Sequence, residues 1–158
     1  MRPEFIQTSM GIIGSLGFAL LFGIRGTKPL GCIALGSGIG WIVYLVSVAG
    51  GHGKAFGMLA SSLVIAACSE ILARVIKAPV ILLLVPMLIP EIPGGDLYYT
   101  MYSLVEGDTD KFASLLQLVL AEAGAIALGI ILASYAAGLV NNIHRHVHPT
   151  VHSPTSKK

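Results

Sequence analysis

An apolar stretch interrupted by prolines and glycines constrains the fold of this chain more than any other feature. The stretch covers residues 80–101 and contains Pro86, Pro90, Pro93, Gly94 and Gly95. Proline removes a backbone donor and clashes with the preceding turn, so it breaks or kinks a helix. In hydrocarbon, the freed backbone groups must be buried in protein or line a wet cavity. Because discontinuous membrane helices often build substrate sites in transporters, the stretch indicates transport.

The composition is that of an integral membrane protein. Of the 158 residues, 54% are hydrophobic and 11% are charged, and the mean hydropathy is +0.81. Soluble domains carry about 25% charged residues. The chain has no nucleotide-binding loop, no Ser-His-Asp arrangement and no zinc signature. We therefore predict that it is not an enzyme, needs no cofactor and binds no nucleic acid.

Hydropathy predicts an all-α integral membrane fold with about five transmembrane helices, the fourth broken by the Pro/Gly-rich segment. A crossing needs about 20 apolar residues. The predicted spans are about residues 5–24, 30–49, 55–76, 79–105 and 112–140. Together they form a single transmembrane domain of residues 1–140, followed by a polar cytoplasmic tail of residues 141–158. The N-terminus does not resemble a cleaved signal peptide, because its apolar run is long enough to remain a span.

The distribution of positive charge predicts the orientation. With five spans, one side of the membrane carries Arg25, Lys28, Arg74, Lys77, Arg145, Lys157 and Lys158. The other side carries Arg2, Lys54 and Lys111, with the acidic residues Glu106, Asp108 and Asp110. The positive-inside rule then places the N-terminus outside and the C-terminus in the cytoplasm. A re-entrant fourth span would break this pattern.

Small residues recur at intervals of four in three predicted spans. They are Gly11, Ser15, Ala19 and Gly23 in the first; Gly36 and Gly40 in the second; and Ala121, Ala125, Gly129, Ala133 and Ala137 in the fifth. Small residues let helix backbones approach closely in lipid, where no hydrophobic force drives helices together. The stripes predict tight helix contacts, either within the chain or with another subunit.

Glu122 is the strongest candidate for an ion-coupling residue. It lies about ten residues into the fifth span. Ionisable groups at such depth are costly and are functional candidates. Glu122 is therefore interpreted as an acid that couples protons or contacts substrate. The alternative is a glutamate near the outer interface, solvated or bonded to a neighbouring helix; Gln117 is a weaker polar neighbour.

The segment around the break supplies further candidates for the substrate or ion pathway. Glu91 and Asp96 flank Pro93, Gly94 and Gly95, and Tyr98 and Tyr99 follow. The acids could bind a cation or the ammonium group of a substrate, while free amides at a half-helix N-terminus suit a carboxylate. A zwitterion matches both features. The alternatives are a polar loop at the outer surface and, for the tyrosines, an interfacial aromatic belt.

Glu70 and Arg74 form a separate candidate at the end of the third span. Their i,i+4 spacing is that of a helical ion pair. The pair either fixes the helix near the cytoplasmic interface or gates the inner mouth of a pathway.

The cysteines and histidines carry less information. Cys32 and Cys68 lie in apolar runs and are interpreted as reduced packing residues. His144, His146, His148 and His152 lie in the tail, where weak metal binding is conceivable. Spacing by two does not form one helical face, so we predict no functional metal site.

Four short runs of residues together resemble the threonine/serine exporter family. They are Ser69-Glu-Ile-Leu-Ala-Arg74 with Lys77-Ala-Pro79, Val85-Pro-Met-Leu-Ile-Pro-Glu-Ile-Pro-Gly-Gly95, and Leu97-Tyr-Tyr-Thr-Met101. The chain is most similar to the small, C-terminal-type subunit of the two-component form. The likeness is clearest in the third to fifth spans. The family motif maps onto Glu70, Arg74, Pro79, Pro86, Pro90, Pro93, Gly94, Gly95 and Tyr98.

The resemblance implies a subunit of an exporter that moves small amino acids, chiefly threonine and serine, with the proton motive force. It also implies a larger companion membrane subunit, and hence a hetero-oligomer. Where the family commonly has an apolar residue between the second and third prolines, this chain has Glu91. That difference either alters substrate preference or is a surface variation.

Two alternatives to an amino-acid exporter subunit remain open at this point. Relatives are credited with export of small dicarboxylates, so the substrate is either an amino acid or such an acid. A structural or assembly subunit without substrate contact also fits the small-residue stripes. An intramembrane enzyme using Glu122 or Glu70 has no supporting nucleophile, base or metal constellation.

Overall fold

The computed structural model describes the backbone of residues 3–147 and the side-chain environments of residues 6–140. This part of the chain is all-helical and contains no strand. The helices are α1 (Pro3–Leu21), α2 (Thr27–Ala49), α3 (Lys54–Ile76), α4 (Val80–Leu88), α5 (Gly94–Glu106) and α6 (Thr109–Val147). A short 3-10 helix, Ile89–Glu91, follows α4. The predicted all-α class is confirmed.

Three to four of these helices are candidates for crossing the membrane. By length and apolar composition, α2, α3 and α6 qualify individually. Residues Val80–Glu91 and Gly94–Glu106 qualify only as a pair, with a bend of 52° between them. The apolar part of α1, Ile6–Leu21, is a shorter helix. The count of five spans therefore stays a prediction.

The bend lies at the second and third prolines of the stretch, Pro90 and Pro93, and not at the first, Pro86. Helical backbone continues through Pro86, which is buried inside α4. A proline there removes one helical hydrogen bond. The neighbouring side chains Leu83 and Met87 are both fully buried, so this part of α4 is held by packing. The direction changes only around Pro90, in the 3-10 helix, and Pro93, which precedes α5. We call residues 89–93 the break.

Helices α3 and α6 pack so closely that Gly129 of α6 has no room for a side chain. A Cβ atom at Gly129 would press against the Ser62 hydroxyl and would lie 2.9 Å from both the Leu59 carbonyl oxygen and the Leu63 amide nitrogen. Ala125 and Ala133 are buried along the same stripe. Backbone groups of α3 thus occupy the space where a side chain would stand.

Helices α3 and α6 run in parallel, and α6 extends well beyond the start of α3. Twenty residues of α6 precede Gly129 (129 − 109), whereas eight residues of α3 precede Ser62 (62 − 54). The difference of twelve residues corresponds to about 18 Å of helix. Helix α5 packs against α6, and the left-handed Gly107 (φ 80°) ends α5 and turns the chain toward α6.

The small-residue stripes pack largely inside the chain. Ser15 and Ala19 of α1 are fully buried, and a Cβ atom at Gly11 would lie 3.4 Å from the Pro90 Cβ. Gly36 leaves room for the Met87 side chain, which a Cβ atom at position 36 would overlap. In α6 the predicted stripe is buried at Ala125, Gly129 and Ala133, but its first member, Ala121, is exposed, and the neighbouring Glu122 is buried instead.

Candidate functional site

The Glu122 side chain is covered by neighbouring residues near one end of the helices. The whole residue is 0% exposed, and neither carboxylate oxygen has a hydrogen-bond partner. Its electrostatic neighbours are Asp96 of α5 and Lys54 of α3. Glu122 lies seven residues before Gly129, so the parallel seam places it level with the first turn of α3. Packing by neighbouring helices therefore keeps Glu122 from solvent, even though it lies near one end of the α2–α3 pair.

Lys54 and Asp96 form an ion pair that joins two helix N-termini. The Lys54 Nζ lies 3.0 Å from Oδ1 and 2.8 Å from Oδ2 of Asp96. Lys54 is the first residue of α3, and Asp96 lies in the first turn of α5, where the helix dipole favours a negative charge. The pair links the segment after the break to α3 beside Glu122.

Tyr44 of α2 is a neutral polar neighbour of these three residues. Its hydroxyl interacts electrostatically with Lys54, Glu122, Asp96 and Glu91, in decreasing order. The ring packs across Gly57, where a Cβ atom would lie 2.9 Å from the Tyr44 Cδ2. We call Tyr44, Lys54, Asp96 and Glu122 the acid cluster. It brings together residues from α2, α3, α5 and α6.

Glu91 is a second buried acid, located in the break itself. It is 1% exposed, and neither of its oxygens has a hydrogen-bond partner. A Cβ atom at Gly40 would lie 3.0 Å from its Oε1. The Ser61 hydroxyl is close enough to interact with the Glu91 carboxyl, although it donates to the Met58 carbonyl at 3.3 Å. Glu91 is thus enclosed by α2 and α3 and is not a surface variation within this chain.

The first turn of α5 has the features expected of a half-helix whose N-terminus faces a binding site. Pro93 precedes the helix, and Gly94 and Gly95 are its first two residues. No side chain caps the helix N-terminus with a hydrogen bond. A Cβ atom at either glycine would have nothing within 4 Å. The orphan amides of such a turn suit a carboxylate. The open space around both glycines leaves this helix end accessible.

The two tyrosines after the break do not join the acid cluster. Tyr98 and Tyr99 are 64% and 60% exposed, and their rings contact each other edge to face at 5.5 Å. The opposite face of α5 carries Thr100 and Ser103, both fully buried. The tyrosines therefore face away from Glu122, as an interfacial aromatic belt would.

Glu70 and Arg74 lie at the other end of α3. Arg74 Nη2 lies 3.2 Å from Glu70 Oε2, the expected i,i+4 contact. Both residues line an open groove of about 340 Å³ between α3 and α6. Whether they gate a pathway or fix the helix stays a prediction.

The sequence did not single out three residues of these sites: Lys54, Tyr44 and Ser61. Lys54 was assigned only to an interhelical connection, and Tyr44 lies in an apolar span. A usable signal was the run Asp96, Thr100 and Ser103, whose spacing of four and three places polar groups on one face of α5. Thr100 and Ser103 donate to carbonyls of their own helix, but the Asp96 carboxylate favours a cation, which a lysine beginning a neighbouring helix can supply.

The cysteines do not belong to the acid cluster. Cys32 and Cys68 are free and half-buried. The side chains of His144, His146, His148 and His152 lie outside the described residues. Among residues whose side chains are described, no group of three His, Cys, Asp or Glu residues could hold a metal ion.

Exchanging the charges of Lys54 and Asp96 tests whether their mutual attraction, and not each side chain alone, stabilises the protein. Lys54→Asp or Asp96→Lys alone places like charges together beside Glu122 and should lower both thermal stability and transport. The double variant restores an attractive pair and should recover much of the lost stability. The measurement is the Tm of the purified protein for all four combinations. The same swap at Glu70 and Arg74, an exposed pair, is the control and should change Tm little. Equal loss in the single and double variants would contradict a specific pair.

Apolar helices around buried acids, next to a break in one helix, define the class of membrane transporters. A family model described as Threonine/Serine exporter, ThrE, matches residues 7–136 of the chain. The chain belongs to this threonine/serine exporter family and is a membrane component of such an exporter. A transporter family also agrees, at this coarse level, with the prediction that the chain is not an enzyme. The comparisons found no matching curated protein and no matching solved structure.

Proposed function

We propose that the chain is one subunit of a proton-motive-force-driven exporter of small amino acids such as threonine and serine. Substrate binds at the N-terminal end of α5, and Glu122 couples its export to proton movement. The observation that carries this proposal is the complete burial of Glu122, with both oxygens unpartnered, beside the Lys54–Asp96 ion pair. A buried carboxyl that lacks donors is costly when charged and can take up a proton.

The chemistry of the site favours a zwitterion over a dicarboxylate. Asp96, which lies beside Glu122, supplies negative charge for a substrate ammonium group. The uncapped first turn of α5 supplies amides for a substrate carboxylate. A dicarboxylate would bring a second negative charge next to these acids, with only Lys54 to offset it.

We further propose that a larger companion membrane subunit completes the exporter as a hetero-oligomer. Three to four candidate spans are few for a transporter, and the family resemblance supports a two-component form. In the proposed assembly, a multi-pass complex in the bacterial plasma membrane, the N-terminus lies outside and the C-terminus lies inside. Lys28 and Lys77 line one cavity and so lie at the same end of the helices, which supports a cytoplasmic location for that end.

The test is threonine efflux from cells loaded with a threonine-containing dipeptide. Cells express this chain, the companion subunit, or both. We expect faster efflux only with both chains, and loss of that efflux on adding a protonophore. Efflux that persists with the protonophore would overturn proton coupling. A stable complex that exports succinate but not threonine would overturn the substrate assignment. Threonine efflux that is unchanged by substitution of Glu122, Asp96 or Lys54 would indicate that this chain is an assembly subunit.

A further inference from the structure

Glu91 occupies a closely packed seat between three helices. The neighbouring Pro90 packs on Gly11 of α1, while Glu91 Oε1 faces Gly40 of α2. A Cβ atom at Gly40 would clash with Ile65 of α3 and crowd Glu91. We call Gly11, Gly40, Ser61 and Ile65 the seat of the break. This packing encloses the carboxyl, and Glu91 is 1% exposed.

The seat offers the Glu91 carboxyl very little to balance a charge. Residues 6–24, which include most of α1, and residues 80–90 contain no titratable side chain. From α2 the titratable neighbour is Tyr44, and from α3 the polar neighbour is Ser61. Lys54 and Asp96 are paired with each other. An ionised carboxylate in this seat would therefore be buried without a counter-charge, with the Ser61 hydroxyl as its polar neighbour, which is strongly unfavourable.

We propose that Glu91 is a proton-binding latch that holds the break in its seat when neutral and releases it when ionised. Opening and ionisation are coupled: when the break moves away from Gly40, water reaches the carboxyl and accepts the Glu91 proton, and the resulting carboxylate stays hydrated outside the seat. On reprotonation the break returns. The latch rests on the proposed function for its role in transport, but the titration and movement of Glu91 are properties of the chain itself.

The two buried acids then have different tasks. Glu122 lies against an ion pair at the start of α5, whereas Glu91 lies in the segment that joins α4 to α5. Loss of the Glu91 proton acts directly on the position of the break, which leads into the α5 N-terminus where the substrate is proposed to bind. The geometry makes Glu91 a positioning residue and not a substrate ligand.

The only tryptophan of the chain provides a direct readout of the latch. Trp41 follows Gly40 and packs on Tyr44, with ring centroids 5.2 Å apart. We expect the fluorescence emission of the purified full chain in nanodiscs to shift reversibly with pH as the seat opens to water. Glu91→Gln should abolish that shift, because a neutral amide of the same shape stays seated. Glu70→Gln, a change near the other end of α3, should leave it intact.

Two outcomes of the fluorescence titration would overturn the latch. One is the same pH-dependent shift in Glu91→Gln and in the parent protein. The other is loss of the shift in Glu122→Gln but not in Glu91→Gln, which would assign the transition to the acid cluster. Neither outcome depends on export, so this test can fail while the proposed function stands, and the reverse also holds.

A disulfide across the seat tests the movement itself. In a Cys32→Ser/Cys68→Ser background, Gly11→Cys and Pro90→Cys place two Cβ atoms about 3.4 Å apart, near the spacing of native disulfides. The rate of oxidative cross-linking, relative to the same pair carrying Glu91→Gln, should fall as pH rises. The pair Gly14→Cys/Pro90→Cys is the control, since nothing lies within 4 Å of a Cβ at Gly14. A pH-independent ratio would overturn the release of the break.

Discussion

Replacing Glu122 with glutamine is expected to reduce proton-driven threonine efflux to the rate of cells that lack the chain. Glutamine keeps the shape and polarity of glutamate but cannot exchange a proton at any pH in the working range. Because Glu122 is buried next to Lys54 and Asp96, loss of its exchangeable proton should remove coupling while the helices stay packed. The measurement is efflux from dipeptide-loaded cells at matched abundance of the assembled protein.

A second assay separates lost coupling from lost binding. Exchange of labelled for unlabelled threonine across a liposome membrane needs substrate binding and the transport movement, but no net proton transfer. We expect Glu122→Gln to retain that exchange. Glu106→Gln, an exposed substitution near the end of α5, is the matched control and should support normal efflux. Normal proton-driven efflux by Glu122→Gln at normal abundance would remove Glu122 from the coupling mechanism.

Gly129→Leu is expected to cause the largest loss of stability of any single substitution considered for this chain. A Cβ atom at Gly129 would meet backbone atoms of α3 at 2.9 Å, and a backbone cannot move aside as a flexible side chain can. Overpacking a filled core typically costs about 1–3 kcal/mol, and separating two helices along their seam should reach or exceed the top of that range. The measurement is thermal unfolding followed by the loss of monodisperse protein.

Gly124→Leu in the same helix is the control for that prediction. Gly124 is exposed, and nothing lies within 4 Å of a Cβ atom placed there. Leucine is also a better helix former than glycine by most of a kcal/mol, so about 0.5–1 kcal/mol of stabilisation is available. A similar Tm for both variants would show that the α3–α6 seam is not as tight as the structure has it.

The helical elements were predictable because their signals are local. Apolar runs of span length predicted α2, α3 and α6 close to their observed positions. Prolines and glycines predicted an interruption between residues 86 and 95, but not its place. Pro86 is accommodated within α4, and the bend comes at the following prolines. A proline weakens a helix by a local and roughly constant amount, whereas the packing that offsets that loss comes from other parts of the chain.

The candidate acids were also predictable singly, but their grouping was not. Glu122 and Glu91 stood out because a charge in an apolar run is costly wherever it lies. That Glu91 is enclosed follows from Gly40 and Ser61, which lie in two other helices. The pairing of Lys54 with Asp96 joins residues 42 positions apart. Such pairings depend on the relative heights of helices, which no local pattern contains.

By itself, the sequence determined the membrane environment, the helical class, the small-residue stripes and the unusual acids, since each depends on the solvent and on neighbours within a turn or two. The tertiary structure alone decided which face of α5 turns inward, and so why Thr100 and Ser103 are buried while Tyr98 and Tyr99 are exposed. It also decided the register of α6 on α3. That register follows from backbone contact at Gly129, and it brings Glu122 level with Lys54, where a buried acid can respond to an ion pair.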